Sequence, residues 1–472
     1  MGEDAKRIRH TTYGEGTVTR VERGGLSLRV LFDKFPGLEV SLPTRLLRCT
    51  ESAGGGVVAA PKAKEHAPLD LDAMQRHQVL EAIRLGVVPM QGLLAYTVGR
   101  DEEVDRFHGM LEAASTERVA ALLGDYGSGK THMLELMQHL ALEAGWVVGR
   151  AWLDPQEAPP SKPRRVYSAL ARSFIYPDRR EAGESGIWPM LERAAQVADL
   201  QGGLDDAEGR PHAFLSPAIR YARGLIEATE KRPGSRRLVD LTMQVASWIE
   251  GRATGVNTEL QRSLHQSLTV RDRVLALSDF GTLPRVYGYL LSGLGVLARR
   301  CGYRGLCVML DETELFSSLD LEERARAVDV FRVLMGAALP KSGAQSLDLT
   351  EVRKGGRGII RDLPPRFGED SDLVLALAAT PGSASEDFLR TTLGGDRVME
   401  LGRFSSSDYR LMGDRILDLY LQAHTDMSRR VLAALEAKMD QWLAQMLHSP
   451  REFGRRVVDF LDQCRHAVVE FG

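Results

Sequence analysis

The stretch VAALLGDYGSGKTHMLELMQHLALEAG (119–145) decides the fold. VAALLGD (119–125) is an apolar run ending in a glycine turn, as expected of a strand covered on both faces of a parallel sheet. THMLELMQHLALEAG (131–145) spaces its apolar residues for an amphipathic helix that stops at Gly145. Between them Gly124, Gly129, Lys130 and Thr131 satisfy G-x-x-x-x-G-K-[ST]. Glycines let backbone N–H groups turn inward around phosphate oxygens, and the helix N-terminus adds a favourable dipole. The expected phosphate cradle is Gly124, Asp125, Tyr126, Gly127, Ser128, Gly129, Lys130, Thr131 and His132. Lys130 reaches the β- and γ-phosphates there, and Thr131 offers a hydroxyl to Mg²⁺. An ordinary glycine-rich turn with an incidental lysine is the competing reading. His132 reads as a packing or capping residue, since no histidine follows at i+4 to share a metal.

Working outward, WVVGRAWLD (146–154), GLCVMLDE (305–312) and LVLALAAT (373–380) are further apolar strands. Acids at the end of the second place Asp311 and Glu312 at the carboxyl edge of the sheet, where open α/β folds bind ligands. Asp311 is expected to hold Mg²⁺ through its water shell, and Glu312 to polarise the attacking water. A strand end closed by solvated acids is the alternative. Glu314 is the competing base, set aside because its side chain is expected to point elsewhere. Thr380 either orients that water or caps the turn before Pro381. In SPREFGRR (449–456), Arg451 falls in a first helical turn, where it opposes the macrodipole. A nucleotide phosphate, or plain solvation, accounts for it.

The chain has 472 residues, 43% hydrophobic and 26% charged, with only 6% aromatic. That excludes wholesale disorder and favours aliphatic, helix-rich packing. A net charge of −3 leaves no global attraction to nucleic acid, so any such contact must be local. Cys49, Cys301, Cys307 and Cys464 are too dispersed for a zinc ribbon or disulfide framework. No leader or membrane-length apolar run is visible, and a cytoplasmic location without membrane contact is expected. Residues 1–50 alternate like short strands broken by glycines and predict a small all-β barrel, modestly basic. Residues 51–68 lose all periodicity and read as a linker. The ATPase-like core is expected in two parts, 69–162 and 301–404, with a helical insertion at 163–300 and a helical lid at 405–472. The expected fold class is α/β, a parallel sheet between helices. Trp152, Trp188, Trp248 and Trp442 are expected in the core. Arg353, Lys354, Arg357, Arg361 and Arg366 surround a Gly-Gly hinge, giving either a phosphate-backbone contact for DNA or a solvated loop. Arg236-Arg237 and the Arg299, Arg300, Arg304 cluster read as solvated faces.

In this order the motifs resemble AAA+ ATPases of the origin-recognition type. TVGRDEEVDRF (97–107) is similar to their adenine-pocket entry segment, which implies Val98, Gly99 and Arg100 as base and ribose neighbours. Asp311 and Glu312 then match the Walker B pair, Thr380 sensor 1 and Arg451 the sensor 2 arginine. The resemblance implies an arginine finger reaching a neighbouring subunit at Arg397, with Arg390 competing, and hence a homo-oligomer. Thr380 replaces the asparagine common at sensor 1, which does not favour fast hydrolysis. More narrowly, LEAIRLGVVP, GDYGSGKTHML, LDETELF, AATPG and SPREFGRR resemble the BREX phage-defence ATP-binding family, BrxC/BrxD type and nearer in length to BrxD, over residues 70–470. IRHTTYGEGTV (8–18) resembles the Tudor/SH3-like barrel of UvrD-type helicases and CarD-type regulators, which binds RNA polymerase or DNA.

These features imply an ATP- and Mg²⁺-dependent ATPase assembling on DNA or on other defence-system proteins. Two other classes remain open: a slow or non-hydrolysing ATP switch, and an adaptor tethering partners to DNA or RNA polymerase through the barrel.

Overall fold

The computed structural model describes residues 7–10, 14–22, 27–32, 39–43 and 71–466, except 90–91, 113–114, 181, 253–256, 345–346, 350–351, 353–359, 362, 425–430 and 446–448. Strands β1 (Arg7–His10), β2 (Gly14–Glu22), β3 (Ser27–Phe32) and β4 (Glu39–Pro43) form an antiparallel meander in that order. The described pairings leave β1 and β4 as edges, so closure into the expected barrel is not among them. The expected linker at 51–68 lies outside the described residues.

The second sheet is wholly parallel, in the order β6-β7-β8-β5-β9. Its strands are β5 (Val119–Leu123), β6 (Val147–Trp152), β7 (Leu306–Asp311), β8 (Leu373–Ala379) and β9 (Val398–Glu400). Inserting β8 between β5 and β7 decides the site. It sets Gly124 beside Ala379, whose carbonyl accepts from the Gly124 N–H at 3.2 Å, and so brings Thr380 to the phosphate loop. The three-residue β9 carries no periodicity of its own; pairing with Ala121–Leu123 defines it. The helices are α1 (Ala73–Leu85), α2 (Leu93–Tyr96), α3 (Asp101–Leu111), α4 (Lys130–Glu143), α5 (Pro163–Arg172) and α6 (Trp188–Gln196). There follow α7 (Leu215–Lys231), α8 (Arg236–Ile249), α9 (Asn257–Ser267), α10 (Pro284–Arg300), α11 (Leu321–Ala338) and α12 (Lys341–Ala344). The last are α13 (Ala384–Leu393), α14 (Ser406–Ala423), α15 (Val431–Ala444) and α16 (Pro450–His466).

The strands read as unbroken apolar runs because each buries both faces, and alternation sorts them between two cores. Val119, Ala121 and Leu123 join one core with α5 to α13; Ala120 and Leu122 join the other with α1 to α4 and α14 to α16. The helical segment 163–300 therefore packs on one sheet face, through α5 against β6 and α10 against β7 and β8. Helix α1 starts at a reciprocal capping box between Asp72 and Gln75 and ends at Gly86, left-handed at φ 69°. Trp248 is buried, and Trp188 and Trp442 are partly so. Trp152 departs from expectation: it is 51% exposed, because it closes edge strand β6 and lies under the Arg150 guanidinium at 4.4 Å.

Two histidines couple this fold to pH, His212 in the core and His132 half-buried at the cavity wall. Desolvation holds His132 at about 4 and His212 at about 3, against an ordinary 6.5. Between these values and 6.5 the unfolded chain binds protons that the folded chain does not, so stability falls as pH falls through that window. At about 1.4 kcal/mol per unit, His132 alone withdraws about 3 kcal/mol by pH 4. The melting temperature is expected to drop from pH 7 to pH 5 in calorimetry, and less steeply in His212→Phe.

Candidate functional site

Strand β5 ends in the loop Gly124–Gly129, and α4 begins at Lys130. Two glycines are left-handed, Gly127 at φ 81° and Gly129 at φ 98°. At Gly124 the limit is space: a Cβ there would lie 2.4 Å from Ser128 Oγ and 3.1 Å from Lys130 Cγ. The loop's shape thus requires glycine for two separate reasons. Ser128 Oγ is buried without a hydrogen-bond partner. The buried Lys130 ammonium donates to the Gly124 carbonyl at 2.8 Å and to Thr380 Oγ1 at 2.9 Å. His132 packs edge-on to Tyr96 and its Nε2 lies 2.7 Å from Thr97 Oγ1, which fits the packing role.

Across the sheet edge, Asp311 is 1% exposed. Its Oδ2 lies 3.4 Å from Thr131 Oγ1 and 3.3 Å from Arg150 Nη2, and its Oδ1 accepts the Glu312 N–H at 3.0 Å. Arg150 also pairs with Glu135 on α4, so it braces the aspartate against the helix after the loop. A hydroxyl and a carboxylate side by side suit Mg²⁺, which takes few protein oxygens and completes its shell with water and phosphate. Among the described residues no group of three or more His, Cys, Asp or Glu side chains makes a self-contained metal cage.

Glu312 is left-handed at φ 59°, a conformation that costs a non-glycine residue about 1 kcal/mol or more. Burial, and then the neighbouring Glu314 and Asp311 carboxylates, raise its affinity for a proton, against the pull of Lys130. This bend feeds a 3-10 turn, Thr313–Ser318, pinned to β8 by the Thr313 hydroxyl donating to the Ala378 carbonyl at 2.7 Å. The turn swings Glu314 into the cavity, contrary to expectation: Thr380 Oγ1 donates to Glu314 Oε1 at 2.5 Å, and Lys130 Nζ lies 3.9 Å from it. Strand alternation offers no signal for this, since it ends at Asp311.

The cavity extends from the loop to an apolar wall formed by Val87, Tyr96, Val98, Phe404 and Met412. Arg100 lines it too, but as a brace. It is buried, stacks over Phe404 at 4.7 Å, and donates to the Ser128 and Gly402 carbonyls, each at 2.9 Å. Gly99 does not line the cavity; its positive φ of 61° lets the chain pass Asp408 of α14. Arg100→Lys keeps charge but not the two-armed reach, and is expected to cost about 2–4 kcal/mol of stability in denaturant titration. At the opposite rim, exposed Tyr126 lies under the Arg451 guanidinium at 5.9 Å, and Ser449 abuts Gly127. Asp125 pairs with Arg403 at 3.4 Å. The start of α16 thus sits directly on the loop.

Other expected residues lie apart. Arg397 donates to its neighbouring Leu393 carbonyl at 3.4 Å, while Arg390 is held by Glu386 and Glu400; neither lines the cavity. Arg353, Lys354 and Arg357 lie outside the described residues, and Arg361 is exposed. Arg366 leaves the basic group, because it donates to the Gly368, Leu339 and Glu369 carbonyls. Among the described residues no helix is long and apolar enough to cross a membrane.

No curated protein and no solved structure matches this chain. From α1 through the phosphate loop and β6, over residues 71–186, the chain is similar to the family described as BREX system ATP-binding protein BrxC/D.

Proposed function

We propose that the protein binds ATP with Mg²⁺ in the cavity between the loop 124–131 and the β7 carboxylates, and hydrolyses it. The observation that carries the reading is the convergence of Lys130, Thr131, Glu312 and Glu314 on one cavity, with Asp311 against Thr131 and Thr380 against Lys130 and Glu314, all from three adjacent strand ends. Backbone N–H groups of the loop and Lys130 take the phosphates, and the apolar wall beside Val98 and Tyr96 takes the base. Thr131 and Asp311 hold the magnesium, which neutralises phosphate charge when bound. Glu312, made more basic by burial, accepts the proton of the attacking water. Thr380 bridges Lys130 and Glu314, and Arg451 closes the lid side.

The similarity to BREX ATP-binding proteins supports a phage-defence setting in which turnover drives assembly or remodelling on DNA or partner proteins. Within that reading the chain acts as a homo-oligomer. Arg397 is the finger of choice, since two carboxylates already engage Arg390. Arg353, Lys354, Arg357 and Arg361 are the proposed DNA contacts, and the N-terminal strands form a Tudor-like barrel for DNA or RNA polymerase. The domain limits set out above belong to the same proposal. Phosphate release from ATP, with Mg²⁺ and with EDTA, tests the central part. Mg²⁺-dependent release supports it, and ATP binding with no release by the wild-type chain would leave a switch instead.

A further inference from the structure

Resting on the triphosphate reading above, we propose that the Glu314 carboxylate occupies the place of a terminal phosphate, so that the site weighs a triphosphate against a diphosphate by displacing it. Lys130 lines the cavity and donates to Thr380, so the two present a cation and a hydroxyl at the end of the loop where the reading above puts the γ-phosphate. Both are engaged with one anion here, Thr380 Oγ1 donating to Glu314 Oε1 at 2.5 Å and Lys130 Nζ lying 3.9 Å from it. The second oxygen, Oε2, is buried and has no donor. This carboxylate is thus held on one side only and desolvated on the other, an arrangement that a better-satisfied anion can replace. Glu312 stands beside it as a second carboxylate near Lys130, whereas the Asp311 charge is already paired with Arg150.

The consequence is a difference between nucleotides. Like charges a few ångströms apart in a part-buried cavity repel one another. A terminal γ-phosphate meets that repulsion unless Glu314 leaves, whereas a diphosphate ends before reaching Thr380. Glu314 therefore lowers affinity for triphosphate selectively and sets a threshold that ADP does not face. It acts as a specificity-determining residue, distinct from Glu312, which faces the water.

The test is calorimetric titration of the full chain with Mg²⁺-ADP and with the imido-bridged, non-hydrolysable ATP analogue. Glu314→Gln keeps the shape and the acceptor for Thr380 while removing the charge; Glu314→Ala removes both. In each variant the analogue is expected to bind about tenfold more tightly, with ADP changed less than about twofold. Equal changes for both ligands, or weaker binding of the analogue, would overturn the inference while leaving the nucleotide site intact. A wild-type chain that binds neither ligand would instead remove the nucleotide reading, and this inference with it.

Discussion

Lys130→Ala is expected to weaken Mg²⁺-ATP binding by about 100-fold or more, measured by fluorescent-nucleotide titration. The ammonium is buried and within reach of the Gly124 carbonyl, Thr380 and Glu314, so its charge is focused on the cavity and not spread into solvent. Charge-assisted hydrogen bonds to phosphate are worth about 1.5–3 kcal/mol each, and a lysine at this position serves two phosphates. The variant also leaves Glu314 without its nearby cation, which adds repulsion against any incoming phosphate. Unchanged affinity in Lys130→Ala would show that nucleotide binds elsewhere.

Glu312→Gln is expected to lower turnover by about 100-fold or more while ATP binding survives, measured as phosphate release beside a binding titration. The carboxylate sits between burial and two like charges, which raise its basicity toward what a proton acceptor needs. Glutamine preserves the left-handed bend at φ 59° as well as glutamate does, so the loss reports chemistry and not folding. Persistent turnover would move the base to Glu314, which shares the cavity.

Much of the core was legible because its signals are local. The apolar run before Gly124, the glycine spacing and the amphipathic helix after it describe β5, the loop and α4 to within a residue or two. The apolar strands before Asp311 and Thr380 were equally plain, since parallel strands buried on both faces need no alternation. What escaped is set by register and by bends. Arg150 reaches Asp311 because β6 and β7 pair with Trp152 opposite Asp311, and no sequence pattern fixes that pairing. Glu314 enters the cavity because the chain bends at Glu312 and tightens into a 3-10 turn. Arg100 is spent on the Ser128 carbonyl and Phe404, contacts made across 28 and more residues. Trp152 is exposed because β6 is an edge, which composition does not reveal.

One structure determination bears on the whole account: the chain crystallised with Mg²⁺ and a non-hydrolysable ATP analogue. The triphosphate is expected inside the loop from Gly124 to Thr131, with the metal between Thr131 and Asp311 and the base against Val98 and Tyr96. Nucleotide bound away from that loop, or Asp311 and Glu312 turned from the phosphates, would contradict it.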